Sequence, residues 1–363
     1  MIGCAGPGGL TESVLDTPEH HVYSGFRLIN KARLDDAERE FEHALRLKPN
    51  YSPAYRGMGL VYGMKGDFEE AFGFMNQAME CAGTKEQAAR THVGFMRLYT
   101  MSEGEGWFEA VEKNFALANK MVTDLPEAHY NMGRAYSRAY RLGEAEACFD
   151  RVIAINRSLT QEAWEQLELI KTIEAAKPTT PEGRRLAFVN PITRADTAAL
   201  LVHELPMDRI YAVDSVKGQG KTAEKGRPLR DITVPADIVH HPMREVIEEI
   251  LRLKIGGLSL LADGSFGPDE YIMRAVFAMV MADIVVAIEK DATLTVRYVG
   301  MASPFDDVHE SAGYFNAVMI CKKHAKIMDG ENRLFDPMGT VSGAQALLTI
   351  RRLKKKYNLS EFN

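Results

Sequence analysis

The chain has 363 residues, enough for two or three domains, and its 46% hydrophobic and 26% charged residues are typical of a globular protein. A net charge of −6 argues against a general nucleic-acid-binding protein, because such proteins carry clustered excess basic charge. No apolar run approaches the length of a transmembrane helix, and the four cysteines match no zinc or redox spacing. The sequence therefore predicts no cofactor and no metal site.

The N-terminal residues 1–6 (MIGCAG) place Cys4 among small residues. This setting resembles the end of a bacterial lipoprotein signal, in which a small residue precedes the lipidated cysteine. The basic and apolar regions of a signal peptide are missing. Two interpretations stay open: a lipid anchor on Cys4, with the start site set too late, or a disordered tail over residues 1–17, for which residues 6–9 (GPGG) are well suited.

A helix–turn–helix pattern with a period near 34 residues runs from residue 18 to residue 158. In the best copy, residues 52–85, Gly59 and Ala71 allow two helices to approach closely, and Tyr62 and Met75 fill the space between them. Residues 87–125 form an irregular copy, in which residues 102–106 (SEGEG) extend the turn. This pattern of about four copies resembles the tetratricopeptide repeat family.

The resemblance implies a superhelix whose concave face is lined by the first helix of each pair. It places five residues on that face: Arg56, Leu60, Tyr130, Arg134 and Ser137. We expect this groove to bind a protein or peptide partner. The alternative is a groove that packs on the C-terminal half of the chain or stays solvated.

A further helix is predicted over residues 161–176, with Trp164, Leu167, Ile170 and Ile173 on its apolar stripe. It ends before Pro178. Residues 159–179 are therefore expected to cap the repeats or to connect them to the next domain.

Residues 180–357 contain three imperfect copies of one unit, at about 180–206, 231–286 and 303–357, with a basic insertion at 207–230. The middle copy predicts a helix over 243–253, a turn in which Phe266 enters the core, and a buried helix over 271–284. Asp269 is predicted to cap this second helix, and Arg274 lies in its first turn.

The other two copies depart from this middle copy. In the first, Thr193 and Asp196 form a predicted capping box around Arg194. In the third, a helix is predicted over 314–324, Ser342 and Gln345 form a second predicted capping box, and Gly343 stands where the other copies have arginine. A short strand is predicted over 292–299, where apolar and polar residues alternate.

The triple unit resembles the S-layer homology domain. The resemblance implies a three-lobed module that binds anionic cell-wall polysaccharide through the arginine of the motif, which is Arg194 and Arg274 here, with Thr193 and Asp196 beside the first. A guanidinium at a helix N-terminus suits such an anion. The structural alternative is that Arg274 pairs with Asp269 or Glu270 and only joins the units.

The predicted fold is mostly all-α: a tetratricopeptide superhelix followed by a three-unit helical module with short loops and minor strand. We expect a non-enzymatic bacterial scaffold in the cell envelope, periplasmic or at the surface and associated with the outer membrane if Cys4 is lipidated. A cytoplasmic location follows if the N-terminus is complete and the Cys4 pattern is chance. The alternatives are a protein–protein scaffold that no longer binds glycan and a nucleotide-binding enzyme that uses residues 217–222 (KGQGKT).

Overall fold

The computed structural model describes residues 16–211 and 234–359, and within these ranges the chain is built from α-helices. The helices are α1 (Pro18–Ile29), α2 (Leu34–Leu47), α3 (Ser52–Lys65), α4 (Phe68–Glu80), α5 (Lys85–Ser102), α6 (Trp107–Met121), α7 (Pro126–Arg138), α8 (Leu142–Ile155), α9 (Thr160–Ala176), α10 (Pro181–Leu186), α11 (Arg194–Glu204), α12 (Met207–Ile210), α13 (Arg244–Leu253), α14 (Arg274–Glu289), α15 (Phe315–Met319) and α16 (Gly343–Lys356). The prediction of a mostly all-α fold is confirmed.

The chain divides into two compact units, and the division falls inside α9, between Glu168 and Leu169. The first unit contains four successive helix pairs, α1–α2 to α7–α8, as the sequence pattern predicts. In α9, Leu167, Ile170 and Ile173 are buried as predicted. The prediction for Trp164 is wrong: it is 48% exposed, because the buried stripe starts at the neighbouring Ala163.

Glycines let large side chains fill the space between the paired helices. The ring of Phe41, wholly buried on α2, lies between Gly25 of α1 and Gly57 of α3, and a Cβ on either glycine would lie within 2.6 Å of that ring. Gly133 leaves the same space for Phe149 in the last pair, where a Cβ would lie 2.8 Å from the ring. Any larger residue at these glycines would therefore separate the helices.

In the second unit, the first amide of each of the helices α11, α14 and α16 donates a hydrogen bond to the backbone of another copy of the repeated unit. The amide of Arg194 donates to the carbonyl of Glu270, that of Arg274 to Gly339, and that of Gly343 to Val189. Each of the three nitrogen–oxygen distances is 2.8 Å. The first copy thus docks on the second, the second on the third, and the third on the first. This closed ring buries Phe266 and Phe335 at its junctions.

Two predictions about the start of α14 are wrong. The helix begins at Arg274 and not at residue 271, and Asp269 does not cap it. Residues 271–273 stay extended because their backbone pairs elsewhere: the amide of Ile272 donates to Ile192 over 3.1 Å, and Met273 forms an isolated bridge with Thr340. These pairings are part of the ring, so they could not be read from local sequence.

The predicted strand over 292–299 is also wrong, because residues 292–295 form a 3₁₀ turn. The carboxylate of Asp291 accepts from the amide of Thr293 over 2.9 Å, and the amide group of Asn316 donates to the carbonyls of Leu294 and Thr295. In the described ranges, extended segments meet only as isolated bridges. The helix predicted over 314–324 consists of α15 followed by a π-helical turn, Ile320–His324.

Candidate functional sites

The first helices of successive pairs, α1, α3, α5 and α7, contact one another and form one continuous face of the repeats. We call this the first-helix face. Arg56 lies on α3, Arg97 on α5 and Arg134 on α7. The face therefore carries a row of guanidinium groups contributed by three different pairs.

Arg56 is half-buried, and its guanidinium carbon lies 5.2 Å from the centre of the Phe26 ring. Burial, followed by repulsion from Arg90 and Arg97, lowers the pKa of Arg56 to about 10, although Glu127 partly offsets this. A guanidinium with so low a pKa is in an environment that disfavours positive charge.

Arg97 is half-buried in the same way, and burial together with the charge of Arg134 lowers its pKa to about 10. Among the described residues, no carboxylate forms an ion pair with Arg56, Arg97 or Arg134. Buried arginines are normally paired, so this part of the face is short of negative charge.

Two carboxylates contact Arg90 on the first helices. Glu127 Oε1 lies 3.6 Å from the Nη2 of Arg90, which also contacts Glu86 at 3.0 Å. The second oxygen of Glu127 and the Nε of Arg90 are buried without a hydrogen-bond partner. The contact between Glu127 and Arg90 thus leaves one donor and one acceptor unsatisfied.

The five groove residues predicted from sequence do not all reach this surface. Leu60 is 2% exposed in the core, and Ser137 is 5% exposed and donates its hydroxyl to the carbonyl of Gly133. Tyr130 is half-buried and packs edge-on against Phe149, with ring centres 5.6 Å apart. Arg56 and Arg134 remain accessible at least in part.

Arg97 was missed by sequence reasoning because the third pair does not follow the 34-residue period. Gly57 packs against Phe41 of the preceding pair, and Gly94 packs against Met75 in the same manner, 37 residues later. With this spacing, Arg97 takes the position that Arg134 occupies in the next pair. The turn at residues 102–106 follows Arg97 in the chain, so the available signal was the spacing of 37 residues between Gly57 and Gly94.

In the second unit, Arg194 joins the first copy to the second. It is 6% exposed, and its Nε, Nη1 and Nη2 donate to the carbonyls of Phe266, Gly257 and Ser259 over 2.8, 3.1 and 2.8 Å. Its guanidinium carbon also lies 4.9 Å from the centre of the Phe266 ring. Burial lowers its pKa, and the carboxylates of Glu270 and Asp237 oppose that change.

Arg274 makes the equivalent junction between the second and third copies. Its Nε and Nη2 donate to the carbonyls of Phe335 and Asp329, both over 2.8 Å, and it lies 4.9 Å from the centre of the Phe335 ring. The alternative interpretation, in which Arg274 joins the units by pairing with Asp269 or Glu270, is therefore wrong about the partner, since the guanidinium reaches across to backbone carbonyls of the next copy. Arg274 differs from Arg194 in being half-buried.

Two aspartates hold the loops that receive these arginines. Asp237 accepts from the amides of Phe266 and Gly267 over 2.9 and 2.8 Å, and Asp307 accepts from those of Phe335 and Asp336 over 2.8 and 2.7 Å. Each carboxylate therefore fixes the loop beneath an arginine and supplies negative charge near it.

The predicted capping boxes are present at two helix starts. Thr193 accepts from the amide of Asp196 over 3.1 Å, and Asp196 accepts from that of Thr193 over 3.0 Å. Ser342 and Gln345 make the same exchange in the third copy. Asp196 is thus engaged with its own helix end.

The third copy has no room for an arginine at the equivalent position. A Cβ on Gly343 would lie 2.7 Å from the carbonyl carbon of Leu186 and closer still to its oxygen. The backbone of the first copy packs directly on the start of α16, where the amide of Gly343 donates to the carbonyl of Val189. Gly343 is therefore required by the closure of the ring.

Glu204, at the end of α11, ties three segments of the second unit together. It is 5% exposed and accepts from the amides and hydroxyls of Thr179 and Thr180 over 2.7–3.3 Å. The Nζ of Lys354, on α16, lies 3.5 Å away and is also buried. A buried carboxylate satisfied in this way is a structural group.

The predicted lipidation site Cys4 and the predicted nucleotide loop at 217–222 lie outside the described residues, as does most of the 207–230 insertion. Within residues 16–211 and 234–359, no helix is long and apolar enough to cross a bilayer.

Two family models match segments of the chain, one in each half. The model of the tetratricopeptide repeat matches residues 126–159, and the model of the S-layer homology domain matches residues 304–347. The sequence-based recognition of these two families is thereby confirmed. No curated protein sequence matches the chain.

Solved structures with similar chains include tetratricopeptide repeat proteins. One, from the functional characterisation of Pseudomonas aeruginosa pilF, is 12% identical with a TM-score of 0.33 and covers 54% of this chain and 92% of its own. Another is YrrB, described as a TPR protein with an unusual peptide-binding site. It is 18% identical with a TM-score of 0.19 and covers 41% of this chain and 91% of its own. The two matched families together indicate a protein-interaction scaffold associated with the cell envelope.

Proposed function

We propose that this chain is a non-enzymatic scaffold of the cell envelope whose repeat array holds an acidic segment of a protein partner. The module formed by the second unit would then associate with the envelope surface. The observation that supports the first part most directly is the row of arginines on the first-helix face.

The energetic reason is that, among the described residues, nearby positive charge outweighs nearby negative charge at these side chains. Arg56 and Arg97 are half-buried, repel neighbouring guanidinium groups and have no ion-pair partner among the described residues. A carboxylate placed between them would gain charge-assisted hydrogen bonds without removing an existing ion pair. The rings of Phe26 and Tyr130 border the same face and offer apolar contact to the rest of a bound segment.

Binding of a labelled oligoglutamate peptide, followed by fluorescence anisotropy, tests this proposal. We expect saturable binding that weakens with salt, whereas an oligolysine peptide of equal length should not bind. Arg97→Gln and Arg56→Gln should each weaken binding by about tenfold, since a hydrogen bond to a charged group is worth about 1.5 kcal/mol or more.

Arg151→Gln is the matched control. Arg151 also lies in the repeats, but it is exposed on α8 and pairs with Asp124 at 2.6 Å. Binding that falls equally in Arg97→Gln and Arg151→Gln would reflect general charge and would contradict the proposed site.

For the second part, we propose that Arg274 is the point of contact with an anionic glycan. Unlike Arg194, it remains half-buried, with two donors directed to backbone carbonyls. Cosedimentation of the full chain with purified cell-wall sacculi tests this role. A folded Arg274→Gln variant that no longer sediments would support it.

A scaffold whose module no longer binds glycan is the second candidate, and two observations favour it. Gly343 cannot supply a third arginine, and Arg194 already donates to three carbonyls. Unchanged sedimentation of wild type and Arg274→Gln would assign both arginines to the junctions. If the wild-type chain does not sediment at all, the envelope contact must lie elsewhere.

A further inference from the structure

The first helix pair carries a cluster of imidazole and carboxylate groups. Asp16 precedes α1, His21 lies in α1, and His43 lies in α2. The Oδ1 of Asp16 is 3.0 Å from the Nε2 of His21 and 3.0 Å from the Nε2 of His43. All three atoms lie within 4.8 Å of one another.

These atoms have the chemistry and spacing of zinc ligands. Zinc binds imidazole nitrogen and carboxylate oxygen at about 2.0–2.2 Å, so neighbouring ligands in a tetrahedral site are about 3.3 Å apart. The two distances from Asp16 are close to that spacing already, and the two imidazole ring centres are 4.1 Å apart with an interplanar angle of 30°. The side chains of Asp16 and His43 are 42% and 38% exposed, so small adjustments are open to them.

A second carboxylate orients one of the ligands. The Oε2 of Glu40 lies 2.7 Å from the Nδ1 of His21. If this nitrogen carries the proton and donates to Glu40, the lone pair on Nε2 faces the cluster, as metal-bound histidine requires. A carboxylate behind a histidine also makes the imidazole a stronger ligand.

One group in the cluster opposes a cation. The Nη2 of Arg46 lies 3.1 Å from the Nδ1 of His43. Binding of a metal at the Nε2 of His43 would place a proton on Nδ1, so Arg46 would have to move away. Arg46 is exposed and can do so into solvent.

We propose that Asp16, His21 and His43 form a binding site for a divalent transition-metal ion of the zinc type. The site has three protein ligands, and its remaining position is open to solvent. The ion would tie the segment before α1 to α2. Neither the repeat family nor the proposed partner groove accounts for this cluster.

Isothermal titration of the tag-free, EDTA-treated full chain with zinc chloride tests the site. We expect one ion per chain. His43→Ala and Asp16→Asn should each weaken binding by at least tenfold, and Glu40→Gln by about 10-fold or more. Circular dichroism should confirm that each variant is folded.

His20→Ala is the matched control, because this neighbouring histidine contributes no atom to the cluster. Its zinc affinity should equal that of the wild type. Arg46→Gln provides a test that does not depend on removing a ligand, since loss of the opposing charge should tighten binding several-fold. The proposal is overturned if the wild type shows no saturable binding, if His20→Ala and His43→Ala behave alike, or if Arg46→Gln leaves the affinity unchanged or weaker.

Discussion

Replacing Gly343 by alanine should open the ring of the second unit. The added Cβ would lie 2.7 Å from the carbonyl carbon of Leu186, whereas non-bonded carbon atoms prefer separations of about 3.5–4.0 Å. The backbone of the first copy or the start of α16 must therefore move by about 1 Å. That movement would also stretch the hydrogen bond from the amide of Gly343 to Val189, now 2.8 Å.

Overpacking of this kind costs about 1–3 kcal/mol, and the upper part of that range applies here because the clash is with backbone. At about 2–4 °C per kcal/mol for a unit of this size, the melting temperature of the second unit should fall by about 4–12 °C. Calorimetric melting of the full chain measures this change.

Gly143→Ala is the control, since Gly143 also lies in the first turn of a helix and a Cβ there would meet nothing within 4 Å. Alanine is the better helix former, so this variant should gain about 0.5–1 kcal/mol. If Gly343→Ala melts at or above the wild-type temperature, the inference that closure of the ring requires glycine at position 343 is wrong.

Two further predictions concern buried groups of the second unit. Burial alone would raise the pKa of Glu204, but the hydrogen bonds from Thr179 and Thr180 outweigh it and hold the pKa below 4.5. The stability from Glu204 is therefore complete above its unfolded-state pKa and is lost as the pH falls through the folded-state value. Urea unfolding measured from about pH 7 to about pH 3 should show that the unfolding free energy of the wild type falls in acid. The same profile should be flatter in Glu204→Gln. At pH 7 this variant should be less stable than the wild type by about 1–3 kcal/mol. A wild type and variant with parallel acid profiles would contradict that role. Burial raises the pKa of the Cys321 thiol, which is 0% exposed and donates to the carbonyl of Ala278. Iodoacetamide should thus modify Cys321 only after unfolding, whereas the half-buried Cys148, with a pKa raised by burial to about 11, should react sooner. Peptide mass spectrometry measures both rates, and equal labelling in the native protein would show that Cys321 is accessible.

Features that depend on residues three or four apart could be predicted. The capping boxes at Thr193 and Ser342 are examples, because the groups that satisfy one another share one helix turn. The helix pairs of the repeats are another, since their spacing of small and large residues follows the packing of adjacent helices. The alternation at residues 292–299 gave a wrong prediction, because it reflects only the side chains of that segment. A strand also needs a neighbouring strand for its backbone hydrogen bonds.

Features that depend on distant partners could not be predicted. The guanidinium of Arg194 reaches a carbonyl 72 residues away, and nothing local distinguishes that contact from a free, ligand-binding arginine. Arg97 lies on the first-helix face because its repeat is offset by 37 residues from the one before it. The cluster of Asp16, His21 and His43 likewise depends on tertiary packing, because Asp16 and His43 come close only when α1 and α2 lie side by side.

By itself, the sequence determined most of the helices, the two capping boxes and the two families of repeated units, because periodic burial and local hydrogen bonding are encoded within single elements. The tertiary structure decided what each charged side chain faces. Arginine forms a junction at Arg194, has no ion-pair partner among the described residues at Arg97, and forms an exposed ion pair at Arg151. The difference lies in the backbone and carboxylates that folding brings beside each one. Closure of the ring also made Gly343 a necessity, since only packing against Leu186 removes the space for a side chain there.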